Sequence, residues 1–246
     1  MRALAFRRDK DRKKIGFLAN RRSKETLPTH FCFKGNILKF APPPPRPPSA
    51  RGGISPFHPH PTMRKLQIED LARIDADTFR QASKIPLTIV LDNVRSLHNV
   101  GSVLRTADAF RLRGVYMCGI TAVPPSPEIH KTALGAEDSV AWRYFDDTLT
   151  AVRQLQSEGV SVWAVEQVEQ SVMLPHFRFS STQAYALVLG HEVKGVRQDV
   201  VDACNGAIEI PQFGTKHSLN VSVTAGIVMW EAARQLMPLI EGFEPR

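Results

Sequence analysis

From Met63 onward the apolar residues alternate between two patterns. Short apolar runs rich in Val, Ile and Leu at 87–91, 115–119, 161–165, 185–189 and 207–210 read as strands buried on both faces. Helical spacing fills the intervals at about 99–110, 128–134, 148–156 and 196–204. Gly159 stops the third of these helices. A further helix is expected over 64–83, on Ile68, Leu71, Ala72, Ile74 and Phe79, and the chain closes on one from Ser218 to about Met237. Buried strands alternating with helices predict an α/β fold: a parallel sheet between two helical layers.

The closing helix carries two apolar stripes. One is Leu219, Val223, Gly226/Ile227, Trp230 and Ala233; the other is Val221, Ala225, Val228 and Ala232. One sheet covers one face of a helix, so the second stripe calls for another cover. A second copy of the chain fits that role, and a charged residue at Val221 or Val228 is then expected to split the dimer. Complete enclosure by its own chain is the alternative.

Composition changes the picture mainly at the N-terminus. The 246 residues carry a net charge of +8, but residues 1–62 account for +11 and residues 63–246 for −3. Basic clusters (Arg7-Arg8, Arg12-Lys13-Lys14, Arg21-Arg22) lead into Pro42-Pro43-Pro44-Pro45-Arg46-Pro47-Pro48. Apolar residues there are too scattered for a core, and the prolines favour solvated polyproline II. Asp9, Asp11 and Glu25 fit an organelle transit peptide poorly. The segment reads as a disordered leader, as an RNA-gripping tail, or as sequence upstream of a true start at Met63. The expected parts are therefore a leader (1–62), a helical extension (63–85) and one domain (86–240). A nucleic-acid site on that acidic domain must be a local basic patch, to which Arg95, Arg105, Arg111 and Arg113 of two copies could contribute. Cys32, Cys118 and Cys204 form no CxxC pair, so neither a metal site nor a disulfide framework is implied, and a reducing, cytoplasmic setting is expected. No run approaches the ~20 apolar residues of a membrane span.

Three segments carry candidate chemistry. In Asn93–Ala107 (NVRSLHNVGSVLRTA), Asn99 is a candidate N-cap and Gly101 allows close approach of another surface. Arg105 lies six residues on, among Val103, Leu104, Ala107 and Ala109. A guanidinium there is either a planar fork for a phosphate or carboxylate, or a surface group with a buried stem. In Leu187–Gly195 (LVLGHEVKG), Glu192 follows a buried strand, where open α/β sheets place their ligands. GxGxxG is absent, and a plain tight turn is the simpler reading of GxExxG. In Ile210–Val223 (IPQFGTKHSLNVSV), a strand-like run ends in Pro211, and Ser218 and Asn220 stand at the start of the last helix, beside unpaired N–H groups and a positive dipole end. A plain Ser N-cap is the bland alternative.

In this order, the three segments resemble the motifs of the SpoU/TrmH branch of the SPOUT superfamily, RNA ribose 2′-O-methyltransferases. The resemblance spans about residues 87–237. It implies a SPOUT-type domain with a C-terminal trefoil knot, S-adenosyl-L-methionine as cofactor and no metal. It implies catalytic positions at Asn99, Arg105, Glu192, Ser218 and Asn220. Leu189, Gly190, Ile210, Pro211, Ser218 and Leu219 match the loops that enclose the adenosine, largely through backbone groups. It also implies a homodimer in which Arg105 approaches the partner's cofactor pocket, acting on tRNA or rRNA. The SLNVSV wording is closer to guanosine-directed relatives than to those acting on pyrimidines in the anticodon loop. A high guanidinium pKa makes Arg105 an electrostatic group here, not a general base. A non-catalytic RNA-binding or assembly protein on the same fold is the alternative reading.

Overall fold

The computed structural model describes residues 63–240, apart from 68 and 72 and the side chain of 239. The leader 1–62 with Cys32, and Ile68 and Ala72 of the expected first helix, lie outside the described residues. In chain order the domain runs α1 (Ala76–Gln81), β1 (Ile85–Asp92), α2 (Leu97–Ala109), β2 (Leu112–Cys118), α3 (Pro127–Ala133), α4 (Ala136–Ser139) and β3 (Trp142–Phe145). It continues through α5 (Thr148–Ser157), β4 (Ser161–Val165), β5 (Val172–Met173), β6 (Tyr185–Leu189), α6 (Gln198–Ala203), β7 (Gly206–Glu209) and α7 (Val221–Leu236). The seven strands form one sheet in the order β3-β2-β1-β6-β4-β7-β5, and each adjacent pair is parallel.

The unbroken apolar runs follow from this burial. Ile89 and Leu91 of β1 and Leu187 and Leu189 of β6 pack with Leu104 of α2 and Val228 and Ala232 of α7. Their neighbours Val90, Ala186 and Val188 face the opposite layer, with Ala151, Val152 and Leu155 of α5 and Val200 of α6. Both sides of the central strands are dry, so both phases of the pleat are mostly apolar; Thr88 and Asp92 of β1 are the buried polar exceptions. Register then levels the strand ends. Leu91 pairs with Leu189, Ala164 with Val188, and Val165 with Ile208. The carboxyl ends of β1, β6, β4 and β7 therefore form one edge, and the loops leaving it hold the three motif segments.

Three expectations change. The helix over 64–83 is instead a 3-10 turn at Glu69–Leu71 followed by the short α1, because the Asp75 carboxylate caps α1 by accepting from the N–H groups of Asp77 and Thr78. The last helix starts at Val221 and not at Ser218, since Asn220 is its cap. The roles of the two stripes on α7 are also fixed: Val221, Ala225, Val228 and Ala232 are buried within the protomer, whereas Val223 and Trp230 are 51% and 50% exposed. Val221 and Val228 are thus core residues, and a charge there would break the domain before it could report on a dimer. The other expected stripe is split: Ala233 is buried and Ile227 packs against the core, whereas Val223 and Trp230, with Leu219 in the loop ahead of α7, remain exposed, and Trp230 rests beside Phe110 with ring centroids 5.9 Å apart. Among the described residues no helix is long and apolar enough to cross a membrane.

Candidate active site

The loop after β6 is shaped by two glycines. His191 and Gly195 exchange backbone hydrogen bonds of 3.1 and 2.9 Å, closing a tight turn. His191 Nδ1 accepts from the N–H of Val193 at 3.0 Å, which makes the ring a brace for the turn. A Cβ on Gly190 would lie 2.0 Å from the carbonyl carbon of Gly195. Gly195 has φ of +69°, and a Cβ there would lie 2.1 Å from Glu166 Oε2. No other residue type fits either position without moving backbone or the Glu166 carboxylate.

That turn aims Glu192 at the start of α2. Its Oε1 accepts from the N–H of Ser96 at 2.9 Å and from the Asn99 side-chain amide at 3.3 Å, and its Oε2 accepts from the N–H of Arg95 at 3.2 Å. Burial alone would raise the carboxyl pKa, but these hydrogen bonds and one from its own backbone outweigh it and hold Glu192 below the usual carboxylate range. An ionised acceptor that holds three donors from one neighbouring segment is an anchor. It ties the β6 turn to the β1–α2 loop across 96 residues of sequence.

Asn99 extends the chain of contacts. Its carbonyl oxygen accepts from the Asn220 side-chain amide at 3.2 Å, and Asn220 Oδ1 accepts from the N–H groups of Ser222 and Val223 at 2.9 and 3.3 Å. Asn99 is therefore not the cap of α2; Ser96 holds that position, its hydroxyl accepting from the Asn99 N–H. The cap was misplaced because two residues three apart both suit it, and only the tertiary partner of Asn99 separates them. Gly101 does allow close approach, since a Cβ would sit 2.1 Å from the Thr132 hydroxyl of α3.

Beside this cluster, at the carboxyl ends of β4, β6 and β7, lies a cavity of about 440 Å³. That is within the about 300–1,000 Å³ of small-molecule sites. Leu189, Gly190, Ile210, Ser218 and Leu219 line it, together with Glu192. Pro211, expected among the enclosing residues, is not part of its wall. Ser218 lies in the exposed loop ahead of α7, facing the cavity from outside the helix. The walls are apolar below (Val165, Leu189, Ile208) and polar at the rim, the mixture that a nucleoside with a charged tail requires. Two carboxylates that sequence reasoning missed complete the edge. Asp92, fully buried, accepts from the Thr148 hydroxyl at 2.5 Å and the Arg197 N–H at 3.0 Å. Glu166 lines the cavity directly. Each directly follows or ends an apolar strand, which was the available signal.

Arg105 stands apart. Six residues of helix put it roughly 9 Å along the axis from Asn99 and about 120° away around it. It is exposed and has no hydrogen bond or ion pair among the described residues. The protomer thus gathers Asn99, Glu192 and Asn220, and presents Arg105 outward. Arg95 is exposed near the cluster, but Arg111 and Arg113 flank the amino end of β2, roughly 17 Å of strand away from the carboxyl edge. Within a protomer those two cannot share a patch with Arg95. Burial lifts the thiols of Cys118 and Cys204 to about 12, which leaves both unreactive. Among the described residues no group of three or more His, Cys, Asp or Glu is placed to hold a metal ion.

Comparison with known proteins gives the same reading. The chain is 34% identical over 165 residues to the 23S rRNA (guanosine-2′-O-)-methyltransferase RlmB of Vibrio cholerae, covering 66% of this chain and 65% of that protein. It is 37% identical over 165 residues to RlmB of Nitrosomonas europaea, covering 65% and 60%. The chain thus spans somewhat less than two thirds of the length of these curated relatives. Among solved structures, the A. aeolicus TrmH/SpoU tRNA modifying enzyme superposes with a TM-score of 0.58 at 26% identity, over 67% of this chain and 81% of that one. An AdoMet-bound rRNA methyltransferase from Sinorhizobium meliloti does so with a TM-score of 0.58 at 28% identity, over 65% and 60%. The model of the SpoU rRNA Methylase family matches residues 86–230, the stretch that holds the sheet, the cavity and all three motif segments. By that match, which takes in more than half of its length, the chain belongs to the SpoU rRNA methylase family.

Proposed function

We propose that this protein transfers a methyl group from S-adenosyl-L-methionine to a ribose 2′-hydroxyl of ribosomal or transfer RNA, at a guanosine. The observation that carries the reading is the hydrogen-bonded cluster of Asn99, Glu192 and Asn220 against the cavity built by Leu189, Gly190, Ile210 and Leu219. The guanosine is taken from the RlmB relatives, whose names specify it. When bound, the cofactor supplies an electrophilic methyl group on sulfur. Gly190 and Gly195 let the turn beside the cavity close on itself and against Glu166.

The protein's own work is positioning and charge. Arg105 offers an unpaired planar fork that suits a phosphate and the oxygen developing charge on the ribose. Glu192 is a weak proton acceptor, because its pKa lies below the ordinary range; its part is to fix Asn99 and, through it, Asn220. Because Arg105 turns away from its own protomer's cluster, the working unit is a homodimer in which a second copy's cavity meets it. The exposed apolar patch of Leu219, just ahead of α7, and Val223 and Trp230 on it supports this reading. A trefoil crossing in the C-terminal part is proposed with it.

The test is methyl transfer in vitro. Purified protein is incubated with methyl-labelled S-adenosyl-L-methionine and ribosomal or transfer RNA transcripts, and 2′-O-methylated positions are mapped by resistance to alkaline cleavage. Label appearing at a guanosine ribose is the expected result. Absence of S-adenosyl-L-methionine binding would overturn the proposal.

A further inference from the structure

Two carboxylates line the cavity, Glu166 and Glu192. Glu192 is spent on Arg95, Ser96 and Asn99. Glu166 is not. It follows β4 directly and its backbone N–H donates to the Ile208 carbonyl at 3.1 Å, so its backbone is held as firmly as a strand residue's. Its Oε1 accepts one bond, from the Gln167 N–H at 2.9 Å, and its Oε2 one, from the Val196 N–H at 3.0 Å. An ionised carboxylate offers about four acceptor sites, so each oxygen keeps one to spare. Both backbone donors hold the carboxylate in one orientation. Gly195 contributes by having no side chain, since a Cβ there would lie 2.1 Å from Oε2.

A rigid pair of acceptor oxygens at the carboxyl end of a parallel strand suits one chemical partner above others: the vicinal hydroxyls of a nucleoside ribose, each donating to one oxygen. We infer that Glu166 is the ribose-binding residue of this cavity and takes the 2′,3′-diol of the adenosine part of the cofactor. The inference rests on the proposed function and adds a side-chain contact to a pocket whose other expected contacts are largely backbone. Gln167, beside it, is tied to the His217 carbonyl, so the loop after β7 closes over the same corner. A diol held there fixes the adenosine, while Asn99 and Asn220 are joined to the cavity through Glu192.

The probe is 5′-methylthioadenosine, which has the ribose diol but neither sulfonium charge nor amino-acid tail, read by calorimetric titration against the full chain. Removing the 2′-hydroxyl of the probe should weaken binding to wild type roughly ten- to a hundredfold, the range for a hydrogen bond to a charged group. Glu166→Gln, which keeps the shape and one acceptor oxygen, should weaken the parent probe similarly and lose most of its preference over the 2′-deoxy form. Equal binding of both probes by wild type overturns the assignment without reference to any variant. So does a Glu166→Gln that loses S-adenosyl-L-methionine but keeps 5′-methylthioadenosine, because the carboxylate would then act on the charged end. If wild type binds no adenosine ligand at all, the methyltransferase reading falls too, a result distinct from a diol-blind pocket.

Discussion

Replacing Glu192 separates an anchoring carboxylate from a proton-accepting one. Glu192→Ala removes the acceptor of three donors: the N–H groups of Arg95 (3.2 Å) and Ser96 (2.9 Å) and the Asn99 amide (3.3 Å). Arg95 is exposed, so its N–H turns to water at little cost. Ser96 is half-buried and Asn99 buried, and each orphaned donor there costs about 1–3 kcal/mol. Because Ser96 is only partly cut off from solvent, the loss should total roughly 2–4 kcal/mol. For a domain of this size that is a fall in Tm of roughly 4–16 °C. Glu192→Gln, which keeps one acceptor oxygen but turns an amide toward another donor, should lose a smaller amount. The pH dependence has a definite sign. The folded pKa is depressed, so the stabilisation is present above the unfolded value of about 4.3 and drains away as pH falls through the folded one. Wild type and Glu192→Gln should therefore differ most near neutrality and converge in acid. Thermal melts between acid and neutral pH, with methyl transfer measured on the same samples, decide the matter. If Glu192→Ala melts within about 2 °C of wild type, the carboxylate holds nothing and the anchoring argument fails. A fully stable Glu192→Gln whose pH–rate profile loses its acid limb would make Glu192 a proton acceptor after all.

Three further outcomes are expected. Arg105→Ala should lose on the order of 10²–10³ in rate while leaving Tm and cofactor affinity near wild type, because the side chain is exposed and unpartnered; Lys should not rescue it, and activity within a few fold of wild type counts against the assignment. Trp230→Glu and Val223→Glu, on the exposed stripe of α7, should yield folded monomers without activity in sedimentation and transfer assays, whereas Val228→Glu, at a fully buried position, should yield no folded protein; a monomeric wild type would end the dimer proposal. The chain begun at Met63 should keep the Tm of the full protein, since regular apolar periodicity starts there, and a large drop would give the leader a part in the fold.

What was legible in the sequence was what each segment states by itself. The strand runs could be read because both of their faces are buried, as with Ile89 against α2 and α7 and Val90 against α5 and α6. The edge strands could not: β3 has exposed Arg143 and Tyr144 at its centre, and β5 is two residues long, so neither carries a burial pattern. The same division runs through the site. Asn99, Glu192 and Asn220 were found as members of three local motifs, but that Glu192 serves Asn99 and Asn99 serves Asn220 depends on contacts spanning 93 and 121 residues. Asp92 and Glu166 carry no local motif and look like ordinary acidic residues where a strand turns. Their meaning lies in partners such as Arg197, 105 residues from Asp92, and Val196, 30 residues from Glu166. The two stripes of α7 make the point most sharply. They are equally apolar in sequence, and their spacing demands two covers without saying which lies within the chain. The packing of α7 on α2 and the sheet decides it, by placing Val228 inward and Val223 and Trp230 outward. Hydrophobic patterning therefore located two apolar stripes on this helix without separating the buried one from the exposed one. It took the three-dimensional fold to show that Val223 and Trp230 stay exposed, on the same helix whose preceding loop places Leu219 in the wall of the cavity, so the proposed pairing surface lies next to the proposed ligand site.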